Sequence, residues 1–232
     1  MGLLIITLPV FEWHPVYLST VVATAALLIV VVAGTLLARF MTQRSFPGQD
    51  FVDGLLLLPL VLPPVVTGFV LLVLVGNNGP VGRVLNDYFQ AQLVFTPYAA
   101  ILASAVVAFP LMYQSARASM QSLDTRLEDA ARSLGGGEWR VFFTVTLPLC
   151  WPGLVAGAVL SFARALGEFG ATIMVAGNIP GVTTTVPLAI YFATESGDLK
   201  MAAIYAAIIG VLTLGMVIGL NSWMRQHSRK RK

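Results

Sequence analysis

Residues Leu127–Pro148 read LEDAARSLGGGEWRVFFTVTLP, a charged, glycine-rich stretch in the middle of an otherwise apolar chain. Of the 232 residues, 57% are hydrophobic and only 11% are charged, whereas an average soluble domain has roughly 25% charged residues. This composition indicates a membrane protein. The polar stretch therefore interrupts a chain that otherwise prefers a lipid environment.

Five almost uncharged windows surround this stretch, and each approaches or exceeds the roughly 20 residues that cross a hydrocarbon core. They are Val16–Ala38, Phe51–Val75 (broken only by Asp53), Leu93–Ala116, Val141–Ala163 and Met201–Met224. The sequence therefore predicts an all-α polytopic membrane protein with five transmembrane helices. We expect one transmembrane domain over residues 1–232, because no composition break, low-complexity tract or inverted repeat marks a second.

The fourth span is expected to begin near Pro152, since proline suits the first turn of a helix, and to run through Arg164 and Glu168 towards Ala176. The run Thr184–Thr194 is too short to cross a bilayer, which predicts a surface or re-entrant element.

Residues 1–15 have neither the basic start nor the cleavage pattern of a removable signal peptide, so we interpret them as an interfacial lead-in. Trp13 and Tyr17 are its expected aromatic anchors.

Basic residues fall mainly on one side of the predicted membrane. Eleven lysines and arginines lie on the side of Leu127–Pro148, two lie on the other side, and Arg164 lies within a span. The positive-inside rule then predicts an outside N-terminus and a cytoplasmic C-terminus. This segregation explains the net charge of +3 as a topology signal, so we expect no nucleic-acid partner. With one cysteine and two histidines, we also expect no metal or cofactor bound by the chain.

The central stretch has the pattern of a short helix, a glycine bend and a second helix. Thr125 and Glu128 fit a capping box, and glycine at Gly135–Gly137 can end the helix with a positive φ. A second segment is expected over Glu138–Thr144, ended by Leu147-Pro148. One apolar stripe is formed by Leu123, Leu127, Ala130, Ala131 and Leu134. Periodicity alone favours an ordinary amphipathic connector at the membrane surface.

The spacing Asp129-Ala130-Ala131, Gly135, Val145 and Leu147-Pro148 resembles the EAA loop of ABC-importer permease subunits, with Asp for Glu at 129 and Val for Ile at 145. The resemblance implies the type I ABC-importer permease fold and a helix that docks on an ATP-binding subunit, within a cytoplasmic loop of about 117–148. The residues to which it assigns this coupling role are Glu128, Asp129, Ala130, Ala131, Arg132, Gly135, Gly136 and Gly137.

The chain has no phosphate-binding loop, because Gly135-Gly136-Gly137 is followed by Glu138 rather than lysine. We therefore expect no enzymatic activity here, with ATP and Mg used by a separate ATPase. The partners that the resemblance implies are two ATP-binding subunits, a second copy of the permease, an extracytoplasmic oxyanion-binding protein and the lipid of a prokaryotic plasma (cell inner) membrane.

Two longer stretches resemble the molybdate-type oxyanion permeases: LLPLVLPPVVTGFVLLVLVGNNGPVG at Leu57–Gly82 and SFARALGEFGATIMVAGNIPG at Ser161–Gly181. With Arg44–Gly48, the similarity covers about residues 40–190. It implies import of an oxyanion, with molybdate first and tungstate, sulfate or thiosulfate as open alternatives.

Two groups in the spans are candidates for the pathway or its gate. Pro63 and Pro64 remove backbone hydrogen bonds and predict a kink, which fits a pathway or simple packing equally. Arg164 and Glu168, four residues apart, can form an intramembrane pair that serves as a gate or as a packing element. The Gly153/Gly157 and Gly215/Gly219 spacings permit close helix contact.

The sequence fits two other classes of protein less well. An ion-coupled secondary transporter or channel is disfavoured by the few ionisable residues in the spans. A membrane anchor or scaffold would explain the polar stretch but not five spans with repeated prolines.

Overall fold

The computed structural model describes residues 11–229, with side chains described up to residue 224. The helices of this range are α1 (His14–Gln43), α2 (Gln49–Val61), α3 (Pro64–Val75), α4 (Pro80–Phe89), α5 (Pro97–Gln121), α6 (Thr125–Ser133), α7 (Glu138–Val141), the π-helical turn Phe142–Thr146, α8 (Leu147–Leu166), α9 (Gly170–Ala176), α10 (Val186–Glu195) and α11 (Leu199–Arg229). The described residues contain no strand, and the predicted all-α fold is confirmed. Most of the predicted lead-in and the end of the basic tail lie outside them.

Four of the described helices are long and apolar enough to span a membrane: α1, α5, the continuous helix Glu138–Leu166, and α11. Helix α5 lies at the centre and packs against α1 and α8. Its fully buried alanines, Ala103, Ala108 and Ala116 among them, let these neighbours approach closely. The 30 residues of α1 extend about 45 Å at 1.5 Å per residue, so this span is longer than Val16–Ala38.

The predicted second span is a pair of helices, α2 and α3, bent by 115°. Leu62 at the break is extended, as expected for a residue before proline, and Pro64 occupies the first turn of α3. The predicted kink at Pro63-Pro64 is therefore confirmed.

The bent pair connects the two ends of the bundle. Val52 and Leu56 of α2 pack on the core cluster that contains Met41 and Met120. Leu71 of α3 belongs to the cluster at the opposite end, with Leu18 and Ala99. The pair therefore has the contacts at both ends of the bundle that the predicted fifth span requires.

The predicted bounds of the fourth span are wrong at both ends. The helix runs without interruption from Glu138, so neither Leu147-Pro148 nor Pro152 marks a boundary. The widened π-helical turn ends at Thr146, two residues before Pro148, and shifts the hydrogen-bond register where a proline ring must fit. At the other end α8 stops at Leu166, and Gly167–Phe169 separate it from α9, so the helix does not continue to Ala176.

Most of the run Thr184–Thr194 lies in the ten-residue helix α10, which at about 15 Å is too short to span a bilayer. Its first residue, Val186, donates a backbone hydrogen bond to Ser19 Oγ of α1 at 2.7 Å. Helix α4 was not predicted. Trp13 and Tyr17 are exposed at the start of α1, and their role as membrane anchors stays a prediction.

The two glycine spacings differ in whether a neighbouring helix packs against them. Gly157 of α8 lies against α5, where an added Cβ would be 2.7 Å from Ser115 Cβ, and Gly153 lies similarly against Ser119. Gly215 and Gly219 of α11 have no described atom within 4 Å of an added Cβ. The first spacing therefore serves packing within the chain.

Candidate functional site

Helix α6 projects from the bundle between α5 and α7. Asp124 is its N-cap, and the Asp124 carboxylate accepts a hydrogen bond from the Arg126 backbone N–H at 3.0 Å. The predicted capping box of Thr125 and Glu128 is wrong, because the cap begins one residue earlier and the Glu128 carboxylate has other partners. The start of α6 is thus stabilised locally while Glu128 is free to bond elsewhere.

The outer face of α6 is apolar and uncovered. Leu127 is 49% exposed, Leu134 is 91% exposed, and Ala130 between them is also exposed. Exposed leucines beside a small residue suit docking of another protein, because the alanine permits close backbone approach. Ala131 and Leu123 lie deeper, so only part of the predicted stripe faces outwards.

The Glu128 side chain turns inwards and is only 13% exposed. Its Oε1 accepts hydrogen bonds from Arg39 Nη1 of α1, at 2.6 Å, and from Thr146 Oγ1 of the π-helical turn. Burial raises the pKa of this carboxyl, but the hydrogen bonds from Thr146 and Arg39 and the charges of Arg39 and Arg132 outweigh it and hold the pKa below its ordinary value. Glu128 is therefore a charged link from α6 to two spans.

Arg132 joins α6 to α7 across the glycine bend. Its Nε donates to Glu138 Oε1 at 2.7 Å, its Nη1 to Asp129 Oδ1 at 2.8 Å, and its Nη2 to Glu128 Oε2 at 3.2 Å. The hydrogen bond to Glu138 is the main cause that raises the Arg132 pKa above its ordinary value. One guanidinium thus fixes three carboxylates and the angle between the two helices.

The glycines form the bend that the sequence predicts. Gly135 has φ +84°, the left-handed conformation that favours glycine. The Gly136 N–H donates to Ala131 O at 3.1 Å, and an added Cβ at Gly136 would lie 2.8 Å from the same oxygen. Side chains at these two positions would therefore strain the bend.

A cleft of about 480 Å³ lies between α1, α5 and α6. Arg39, Gln43, Glu128, Arg132 and Glu138 are among the side chains that line it. The four charged side chains among these neutralise one another through ion pairs rather than leaving an unpaired nucleophile or base. The arrangement suits the transmission of force between helices.

The two groups proposed for the pathway lie near each other. Arg164 Nη1 is 2.6 Å from Glu168 Oε2, at ion-pair distance without hydrogen-bond alignment, and Glu168 is buried. Glu168 lies beyond the end of α8, and its Oε1 accepts a hydrogen bond from the Ala171 N–H of α9 at 2.7 Å. An added Cβ at Gly170 would lie 3.0 Å from Pro64 Cβ, so this connection abuts the break between α2 and α3.

Sequence reasoning missed the contact residues on the spans. In the sequence, Arg39 is only a topology signal, and no pattern indicates a role for Thr146. Asp53 breaks an apolar window in the sequence, yet in the structure it is buried and accepts hydrogen bonds from Tyr113 and Arg117 of α5. The sequence feature that indicates this contact is the position of the two charges, since Asp53 and Arg117 each lie at one end of an apolar window.

Four described helices that can span a membrane, a bent helix pair and a projecting, uncovered helix define an integral membrane protein of the transport-permease class. The family described as "Binding-protein-dependent transport system inner membrane component" matches residues 30–232. The chain belongs to this family, and is thus an inner-membrane permease subunit of an ABC importer.

Curated relatives agree with this assignment. The molybdenum transport system permease protein ModB of Escherichia coli (strain K12) is 44% identical over 220 residues, covering 95% of this chain and 96% of the relative. ModB of Haemophilus influenzae is 42% identical over 224 residues, with the same coverages. A protein of Chlorella vulgaris named a probable sulfate transport system permease is 35% identical over 208 residues, covering 89% of this chain and 78% of the relative.

Solved structures share the fold. A bacterial ABC transporter for import of the polysaccharide alginate superposes with a TM-score of 0.72 at 17% identity, covering 92% of this chain and 78% of the other. The methionine ABC transporter MetNI in an inward-facing conformation gives 0.67 at 16% identity, covering 93% and 95%. The type I importer permease fold is thereby confirmed.

Proposed function

We propose that this chain is the membrane-spanning subunit of an ATP-driven importer of molybdate. Two copies enclose one pathway, and each docks α6 on an ATP-binding subunit that uses ATP and Mg. An extracytoplasmic binding protein delivers the anion. The observation that carries the coupling role is the uncovered apolar face of α6, held on the bundle by Glu128 and Arg132.

In this mechanism, ATP binding brings the two ATPases together and displaces both α6 helices. The displacement switches the pathway from inward-facing to outward-facing, so the binding protein can release its anion into it. The break at Pro63-Pro64 and the adjoining Arg164–Glu168 pair are the proposed gate region. High affinity belongs to the binding protein, because tight binding in the pathway would oppose release.

The choice of molybdate rests on the names of relatives that are 42% and 44% identical over nearly the whole chain. Sulfate is the second candidate, supported by the relative at 35% identity. Uptake by proteoliposomes that contain the permease, its ATPase and its binding protein separates the two. We expect ATP-dependent molybdate uptake that tungstate, but not sulfate, inhibits. Uptake of sulfate alone would overturn the substrate assignment.

Docking is tested on the outer face of α6. Leu134→Glu and Leu127→Glu place a charge where an apolar partner surface would lie, so each should prevent co-purification of the ATPase. Ser45→Glu is the matched control, because Ser45 is exposed in the connection between α1 and α2. Normal ATPase binding by both leucine variants, or by a chain lacking Glu128–Gly137, would contradict docking through α6.

A further inference from the structure

Glu128 lies on a helix that projects from the bundle, but its carboxylate is among the least exposed groups of that helix. The same oxygen, Oε1, meets a guanidinium from α1 and a hydroxyl from the π-helical turn that leads into α8. A glutamate needed only for helix solubility would point into solvent, as the 68% exposed side chain of Asp129 does. The inward position of Glu128 links α6 to the spans.

Arg39 is the span residue at the centre of these contacts. Its side chain is 9% exposed, and besides Glu128 it reaches Glu138 Oε2 at 3.4 Å. Its guanidinium carbon lies 5.5 Å from the centre of the Phe142 ring. Arg39 therefore contacts α6, α7 and the π-helical turn at once, in a setting where its charge is little screened by water.

Thr146 extends the link to α8. Its side chain is fully buried, and its hydroxyl lies 3.5 Å from Arg39 Nη1 as well as against Glu128. The turn that carries it has the wider π-helical geometry, which occurs often at functional sites because it can change register with the helix around it. A displacement of Glu128 would act on this turn directly.

We infer that Glu128, Arg39 and Thr146, together named the α6 clasp, transmit displacement of the docking helix to the spans α1 and α8. Arg39 and Thr146 are positioning residues in this inference, since neither faces the outer surface of α6. The inference rests on the proposed docking of α6 on an ATPase. It adds that docking and coupling are separable, because the docking face and the clasp lie on opposite sides of one helix.

The test compares ATPase binding with coupling. Arg39→Gln, Glu128→Gln and the double variant are reconstituted with the ATPase and binding protein. We expect each single variant to retain the ATPase while molybdate uptake per ATP hydrolysed falls about tenfold, within the usual range of coupling energies. The loss in the double variant should be smaller than the two single losses combined, because the Arg39–Glu128 ion pair is lost in all three variants.

Matched variants separate coupling from folding. Arg83→Gln is the control, because Arg83 is an exposed residue of α4, away from the cleft, and forms no ion pair with any described residue. Thr146→Val removes the hydroxyl without leaving a buried charge, and should lower uptake per ATP even if the Arg39 variants fold poorly. Arg39→Lys keeps the positive charge, so its uptake per ATP should be higher than that of Arg39→Gln. It should stay below that of the unaltered protein, because one ammonium cannot reach both Glu128 and Glu138 as the guanidinium does.

Four results are decisive. Unchanged uptake per ATP in Thr146→Val and in the folded Arg39 or Glu128 variants overturns the clasp while leaving docking intact. The clasp is also overturned if molybdate uptake by a variant falls only in proportion to the amount of ATPase that the variant binds. If the ATPase does not bind the unaltered permease, the proposed function itself fails. Uncoupled hydrolysis with the ATPase still bound supports the clasp.

Discussion

Asp53 and Glu128 are carboxylates withdrawn from water, and each lies against an arginine of another helix. Asp53 of α2 also accepts the Tyr113 hydroxyl of α5, so both carboxylate oxygens have partners. Burial of either charge alone would be unfavourable, and the arginine offsets that cost. At the scale of single residues, the few charges of this chain therefore fix where helices meet.

Asp53→Asn removes the charge that neutralises Arg117 and keeps the side-chain shape. We expect the apparent Tm in detergent to fall by about 10 °C, because loss of one partner of a buried pair costs about 3 kcal/mol. Asp50→Asn, exposed on the same helix, should change the Tm by less than about 2 °C. A Tm equal to that of the unaltered protein would show that the Arg117 charge needs no partner.

Glu128 gives a pH-dependent prediction. Its pKa is lowered in the folded protein, so the ionised form stabilises the fold. This contribution should be complete above the ordinary glutamate pKa of about 4.3 and should disappear as the pH falls through the lowered value. The Tm difference between the unaltered protein and Glu128→Gln is therefore expected to stay constant from about pH 7 to pH 5 and to shrink below about pH 4. Shrinkage already above pH 5 would contradict the lowered pKa.

Helices α5 and α8 pack closely at Gly157, where a larger residue would push them apart. Gly157→Ala places a Cβ 2.7 Å from Ser115 Cβ, so it should destabilise the protein by about 1–3 kcal/mol in detergent unfolding. Ser115→Gly in the same chain should restore part of the stability by making room. Gly215→Ala is the control, since no described atom lies within 4 Å of its added Cβ. An unaffected Gly157→Ala variant would mean that α8 can shift away from α5.

Local chemistry made several elements predictable. Consecutive prolines predict the break between α2 and α3, and Gly135 predicts the bend after α6, because each restricts its own backbone. The start of the fourth span was not predictable in this way. Leu147-Pro148 looks like the end of one helix and Pro152 like the start of the next, but the π-helical turn and packing on α5 keep the helix continuous.

The candidate site was predictable only on its outer side. The residues of α6 and the glycine bend follow from spacing along one segment. Arg39 and Thr146 contact Glu128 across 89 and 18 positions of the chain, and no sequence periodicity connects them. Their roles depend on how α1 and α8 pack around α5, which is a property of the tertiary fold.

At the scale of the whole molecule, the two core clusters mark the two ends of the bundle. The cluster with Met41, Met120 and Phe142 lies beside α6, whereas the cluster with Leu18, Leu71 and Ala99 lies at the far end. Asn77 follows α3 at the far end, and Ser133 ends α6. Positions 77 and 133 should therefore lie on opposite sides of the membrane.

The direction of that arrangement is a prediction from the basic loops, which place α6 in the cytoplasm. Asn77→Cys and Ser133→Cys, both at exposed positions, can be labelled with a membrane-impermeant maleimide. In intact spheroplasts Asn77→Cys should react and Ser133→Cys should react only after permeabilisation. The unaltered chain is the control, because its single cysteine, Cys150, is buried. The reverse pattern would place α6 outside, away from any ATP, and equal labelling would mean that α5, the span between the two positions, does not cross.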